Sequence, residues 1–164
     1  MKIDITKIAN VILYMLDESI KHLNDKKLSI LLFLIDFEHF KKFGQKIFNE
    51  EYIKDKRNPE PVILGEIFEI IANGEDLEED DERLYMIEEL LEYLDIEILT
   101  KEKFIELKFL KMEEDYDESL FTKEELKTIK EIVKKYKEDS VRNVANSTFQ
   151  IEEVRRAPLG EIIF

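Results

Sequence analysis

Apolar residues fall at three-to-four spacing near the start of the chain, at Ile5, Ile8, Ile12, Leu16, Ile20 and Leu23. That is the period of one helix face, so the spacing predicts an amphipathic first helix, with Asp4 or Thr6 as its cap. The next apolar stretch has a different character. ILLFLIDF lies inside a second helix expected from about Lys27 to Phe43 and is apolar almost all round. Such a helix is central and packed on several sides. Gly44 is its natural stop. Phe33, Phe37, Phe40 and Phe43 recur along it at helical spacing and read as core.

From Ile47 to Lys56 the chain reads as extended, anchored by Ile47, Phe48, Tyr52 and Ile53, and Asn58-Pro59-Glu60-Pro61 reads as a turn. A third helix follows, with Val62, Leu64, Ile67, Phe68 and Ile71 inward, and Asn73-Gly74 ends it. Leu84, Ile87, Leu91 and Leu94 form the apolar stripe of a fourth helix. IEIL (96–99) and FIELKFL (104–110), with Ile105, Leu107 and Phe109 at strand period, suggest a hairpin, a helix starting at Thr100 being the competing reading. After an acidic loop from Glu113 to Leu120, Thr122-Lys123-Glu124-Glu125 is a capping box that opens a fifth helix carrying Leu126, Ile129, Val133 and Tyr136. Ser140 caps a last short helix to about Thr148, and RRAPLGEIIF reads as extended. The expected fold is mainly α, of the α+β class: one domain over 1–164, with five to six helices and a small antiparallel hairpin or sheet.

Charge changes the picture. The 164 residues hold 25 basic and 39 acidic side chains, a net charge of −14. Twelve of the acids, against the single base Arg83, lie between Asn73 and Thr100. The acidity is therefore local, and 73–100 reads as an acidic, insertion-like segment. An acidic balance argues against a partner gripped through phosphate neutralisation. There is no Cys, which excludes disulfides, thiolate metal sites and cysteine nucleophiles. No apolar run approaches the eighteen or so residues of a membrane span, and the N-terminal stretch reads as a mature helix. These features point to the cytoplasm.

Candidate chemistry is sparse. Asp36 and His39 stand three apart on one helix face, where an Asp could orient a His for general-base work. No nucleophile or oxyanion donor lies nearby in sequence, so a structural role is preferred and no catalytic residue, cofactor or metal is expected. The run Glu75 to Glu82 lacks the central Gly and the alternation of a calcium loop. It reads as a solvated approach to a helix, or as an electrostatic lure for a basic protein. Val141 to Thr148, with Arg142, Asn143 and Asn146, is the one weak candidate for a recognition helix.

LLFLIDFEHFKKFGQKIFNEEYIK (31–54), DYDESLFTKEELKTIKEIVKKY (115–136), SVRNVANSTF (140–149) and PLGEIIF (158–164) together resemble the Panacea domain, the family of SocA-type antitoxins and phage-associated homologues. The similarity runs from about Ile5 to Phe164 as a dispersed pattern of helix starts and turns. Two positions depart from it. The family's Tyr-Gly-Pro-Val turn is here Arg57-Asn58-Pro59-Glu60-Pro61, and its Ser/Thr-His pair falls near Ser147-Thr148-Phe149, so its His is absent.

The resemblance implies a helical, non-enzymatic domain that binds proteins: an antitoxin that neutralises a toxin, or an adaptor that delivers a toxin to a protease. The partner is not deducible from such a sequence. The candidate protein contacts are Arg57, Asn58, Pro59 and Glu60 in the turn, and Glu75, Asp76, Glu78, Glu79, Asp80 and Asp81 in the acidic run. A DNA-binding regulator of its own operon, using Arg142, Asn143 and Asn146, is the alternative, as is a phage-encoded protein with another partner.

Overall fold

The computed structural model describes residues 3–164. In chain order the elements are α1 (Ile5–Asp17), α2 (Asp25–Phe43), β1 (Tyr52–Asp55), β2 (Asn58–Pro61), α3 (Val62–Asn73), α4 (Glu82–Tyr93), β3 (Leu94–Thr100), β4 (Ile105–Lys111), α5 (Lys123–Tyr136), α6 (Val141–Ser147) and α7 (Glu152–Arg156). Single 3₁₀ turns at Glu118–Leu120 and Thr148–Gln150 precede α5 and α7. The mainly α, α+β class is as the periodicity predicts. The seventh helix is five residues long and takes in Arg155 and Arg156, which had read as part of an extended tail.

α2 is the axis of the fold. Its residues 30–37 are all buried, as expected of a helix apolar all round. It touches α3, α5, α6, β2 and β4. The outer half of its aromatic stripe departs from the expectation. Phe33 and Phe37 are buried, whereas Phe40 and Phe43 are nearly half exposed. Asn24 caps the start of α2, and Gly44, at φ +73°, closes its end in the left-handed conformation. No helix among the described residues is long and apolar enough to cross a membrane.

The two prolines after Asn58 build an edge strand, β2, where a turn was expected. Tyr52 and Lys54 turn their backbone groups away from β2 and bond to Phe164, Ile163, Glu161 and Gly160. In the register, Tyr52 faces Pro61 and Lys54 faces Pro59. Those are the pairs that exchange no ladder bonds, so the missing proline N–H groups cost nothing. The extended C-terminal segment thus runs along one side of β1 and β2 along the other.

β3 and β4 pair antiparallel with Leu94 opposite Lys111 and Thr100 opposite Ile105. Leu107 and Phe109 are buried, and Phe109 packs on Phe68 of α3 at 5.6 Å between ring centroids. The stripe of α4 is shifted from the one predicted: Leu90 is buried and Leu91 is exposed.

Candidate partner-binding surface

α4 begins at Glu82 because Asp81 caps it, accepting from the backbone N–H of Arg83 at 2.9 Å. The Arg83 guanidinium holds the other oxygen of Asp81 at 2.7 Å and pairs with Glu66 of α3. Those contacts hold the Asp81 carboxyl down at about 2. The sole base of the acidic segment is therefore spent internally, locking α4 onto α3. Glu75, Asp76, Glu78, Glu79 and Asp80 are all exposed between the two helices. Glu88, Glu92, Asp95 and Glu97 continue the exposed acidic surface along α4 and β3. Tyr85, Leu91 and Ile98 are exposed apolar side chains in the same stretch, and sequence reading had not singled them out as contacts. No group of three or more His, Asp or Glu among the described residues is placed to hold a metal ion.

The second predicted patch is the turn between β1 and β2. Lys56 adopts a positive φ of 55° there. Arg57 is exposed, Asn58 and Glu60 are half-buried, and Pro59 is buried. Pro59 is thus a wall of the hairpin. Arg57 places its guanidinium 4.6 Å from the centroid of the Phe149 ring. Glu60 lies diagonally across the hairpin from Asp55, on the same face. Burial first, then the adjacent Asp55, push the Glu60 carboxyl up to about 7.

Asp36 and His39 are buried but do not form the dyad their spacing allows. Asp36 accepts from the N–H groups of Ile47 at 2.7 Å and Phe48 at 3.2 Å, and from the Tyr52 hydroxyl at 2.6 Å. It anchors the loop after α2 to the helix. Burial raises its carboxyl to about 6 even against these bonds. His39 instead turns Nδ1 to the Thr128 hydroxyl of α5 at 3.0 Å, and burial lowers its pKa.

Arg142, Asn143 and Asn146 share an exposed face of α6, a helix of seven residues with Val144 buried beneath. The following Ser147 and Thr148 donate to backbone carbonyls of Val144 and Ala145.

Gly65 sits in the middle of α3, where glycine weakens a helix. The structure gives the reason: a Cβ there would lie 3.0 Å from Glu60 Oε1. An interior helical glycine flags such a close approach.

Neither the curated proteins nor the solved structures contain a match to this chain. The model of the family described as antitoxin SocA-like, Panacea domain, matches residues 26–152. The matched stretch runs from the first turn of α2 to the start of α7, taking in the acidic run and the β1–β2 turn and leaving α1 and the last twelve residues outside it. By that match the chain belongs to the SocA-like Panacea domain family of antitoxins.

Proposed function

We propose that this protein is a non-enzymatic antitoxin that captures a toxin protein in the cytoplasm and blocks it by direct contact. The observation that carries the reading beyond family membership is the exposed run from Glu75 to Asp80, which forms no ion pair among the described residues, the nearby Arg83 being held by Asp81 and Glu66. An uncompensated acidic surface speeds encounter with a basic partner and discourages acidic ones. Tyr85, Leu91 and Ile98 supply apolar area beside the charge, as an interface core requires. Arg57, Asn58, Pro59 and Glu60 of the hairpin are the further contacts in this reading. Residues 1–164 act as one unit in this reading, with 73–100 as its acidic insertion.

Co-expression with the product of the neighbouring gene tests the proposal. Rescue of growth and a complex that survives purification at low salt are expected. Failure to form a complex at low salt would overturn it. The same experiment separates blocking from delivery to a protease: a blocked toxin keeps its cellular level, whereas a delivered toxin falls in protease-proficient cells.

A further inference from the structure

β3 runs for seven residues and pairs with β4 on one side only. The register fixes which backbone groups face which way. Lys101 N–H donates to the Phe104 carbonyl at 2.8 Å. Leu99, Glu97 and Asp95 are in step with that pair, so they exchange ladder bonds with Glu106, Lys108 and Leu110. Ile96, Ile98 and Thr100 turn their N–H and C=O groups the other way. Two contacts agree with this alternation. Ile96 N–H donates to the carboxylate of the adjacent Asp95 at 2.9 Å, and on the far side of β4 Leu107 N–H donates to Asp25 of α2 at 3.0 Å. The two edges of the hairpin therefore differ. α2 meets the β4 edge at Leu107. Among the described residues no strand, helix or side chain receives the N–H groups of Ile98 and Thr100.

A straight, open edge of this length is a template for a further strand. The two faces of β3 say what that strand carries. On the face turned to the core, Ile98 is 45% exposed, Ile96 is half-buried, and Ile105 is exposed beside Thr100. An added strand with apolar side chains there would continue the row and cover Ile98. The opposite face presents Asp95, Glu97 and Leu99 along the edge. Both acids are exposed, and neither forms an ion pair among the described residues. Lys108 stands opposite Glu97 on the β4 side, and Lys101 pairs with Glu106 at 3.7 Å. The free side of Glu97 thus has an open position where a base completes a row of alternating charge, and like charge is penalised. The same rule argues against a second copy of this chain. Aligning β3 antiparallel with β3 over all seven residues sets Glu97 against Glu97, between chains that each carry −14.

We infer that the free edge of β3 takes up an extended segment of a bound protein as a third strand, with Lys or Arg beside Asp95 and Glu97 and apolar side chains beside Ile96 and Ile98. This inference rests on the protein-capture reading and names the contact that capture makes. The backbone groups of Ile98 and Thr100 hold the incoming strand whatever its sequence. The alternation of acid and apolar positions then selects which strand is held.

The test uses the whole protein, ¹⁵N-labelled, titrated with the capped pentapeptides Val-Lys-Val-Lys-Val and Val-Glu-Val-Glu-Val, and with the Lys peptide methylated at its backbone nitrogens. The Lys peptide should move the amide signals of residues 95–100 saturably and slow the hydrogen exchange of Ile98 and Thr100, which is fast in the free protein. The acidic and methylated peptides should do neither. Glu97→Gln, an exposed change, should weaken the Lys peptide about threefold with unaltered melting. Absence of saturable shifts in 95–100 overturns the inference, as does equal binding of the acidic or the methylated peptide. Self-association of the protein that itself protects Ile98 and Thr100 overturns it in favour of a second copy. Its failure is distinct from failure of the antitoxin reading. A complex with the neighbouring gene product that leaves the exchange of Ile98 and Thr100 fast removes the edge alone. Peptide binding without any such complex removes the antitoxin role alone.

Discussion

The guanidinium of Arg57 lies over the ring of Phe149, 4.6 Å from its centroid, and so ties the β1–β2 turn to the segment after α6. A cation over an aromatic face at a largely exposed site contributes about 0.5–1 kcal/mol. Arg57→Ala, Phe149→Ala and the double change should therefore give a coupling of that size in urea unfolding. Additive single changes would show that the contact carries no stability.

Asp36 sets a pH dependence whose sign is opposite to that of an exposed, paired carboxylate. Its folded-state pKa stands at about 6 against 3.8, through burial. Between those values the folded state binds more protons than the unfolded, so stability falls as pH rises from about 4 to about 6 and then levels. The difference amounts to roughly 2–3 kcal/mol, or about 5–10 °C in Tm for a chain of this length. Glu60, also raised, adds in the same direction. Asp81, held at about 2, works the other way and removes stability only below about pH 4. The melting temperature should therefore peak near pH 4–5. Asp36→Asn keeps an acceptor for Ile47 and Phe48 and should flatten the alkaline side of that peak. Asp36→Ala strands both N–H groups and should cost about 2–4 kcal/mol at every pH. A Tm that rises steadily from pH 4 to pH 8 would contradict the assignment.

Lys27 is fully buried, a rare place for an ammonium. Its Nζ donates to the carbonyls of Lys21 at 2.6 Å, Asp139 at 2.7 Å and Lys137 at 3.4 Å. It thereby fastens the loop after α1 to the carbonyl end of α5, where a cation is favoured. Lys27→Met keeps the apolar stem but leaves the carbonyls of Lys21 and Asp139 without a donor, while that of Lys137 keeps the Lys21 N–H at 2.9 Å, and should cost about 3 kcal/mol, read as a lower urea midpoint at constant m-value. Lys27→Arg should not rescue it, because a planar fork does not fit three converging carbonyls. A midpoint unchanged in Lys27→Met would show that water serves those carbonyls equally well.

What the sequence made legible was local. Thr122 and Glu125 satisfy each other's backbone N–H groups at 2.9 and 3.1 Å, within four residues. Gly44 and Gly74 stop α2 and α3 in the left-handed conformation that Gly adopts freely. Alternation pointed to strands over 96–99 and 104–110, which the structure extends to Leu94–Thr100 and Ile105–Lys111. What stayed hidden was polar and distant. Glu50 is buried and accepts from Ile63 and Leu64 at the start of α3, thirteen and fourteen residues on. It supplies the helix cap that Pro61 cannot. The backbone partners of Asp36 and Lys27 were equally hidden, because nothing in a sequence marks which backbone groups a folded chain will leave needing a partner. The acidic patch was legible as charge, and its apolar companions Tyr85, Leu91 and Ile98 were not, since a predicted stripe assigns such residues inward.

The acidic run should act on the rate of encounter more than on the lifetime of the complex. Glu75, Asp76, Glu78, Glu79 and Asp80 are exposed and away from the core, whereas Asp81 caps α4. Replacing the first five by Gln or Asn and keeping Asp81 should leave stability within about 0.5 kcal/mol. In the proposed antitoxin role, association with the partner protein, followed by stopped flow at low salt, should slow about tenfold, while dissociation stays within about twofold. Raising the salt should slow the native protein toward the variant, since exposed charges are screened within about 8–10 Å at physiological ionic strength. Asp81→Asn differs in kind, because it releases Arg83 and loosens the start of α4, so it should lower the melting temperature as well. Equal association rates for the five-fold variant and the native protein at low salt would mean that the charge of 75–80 faces solvent in the complex too, and that recognition lies elsewhere on the surface.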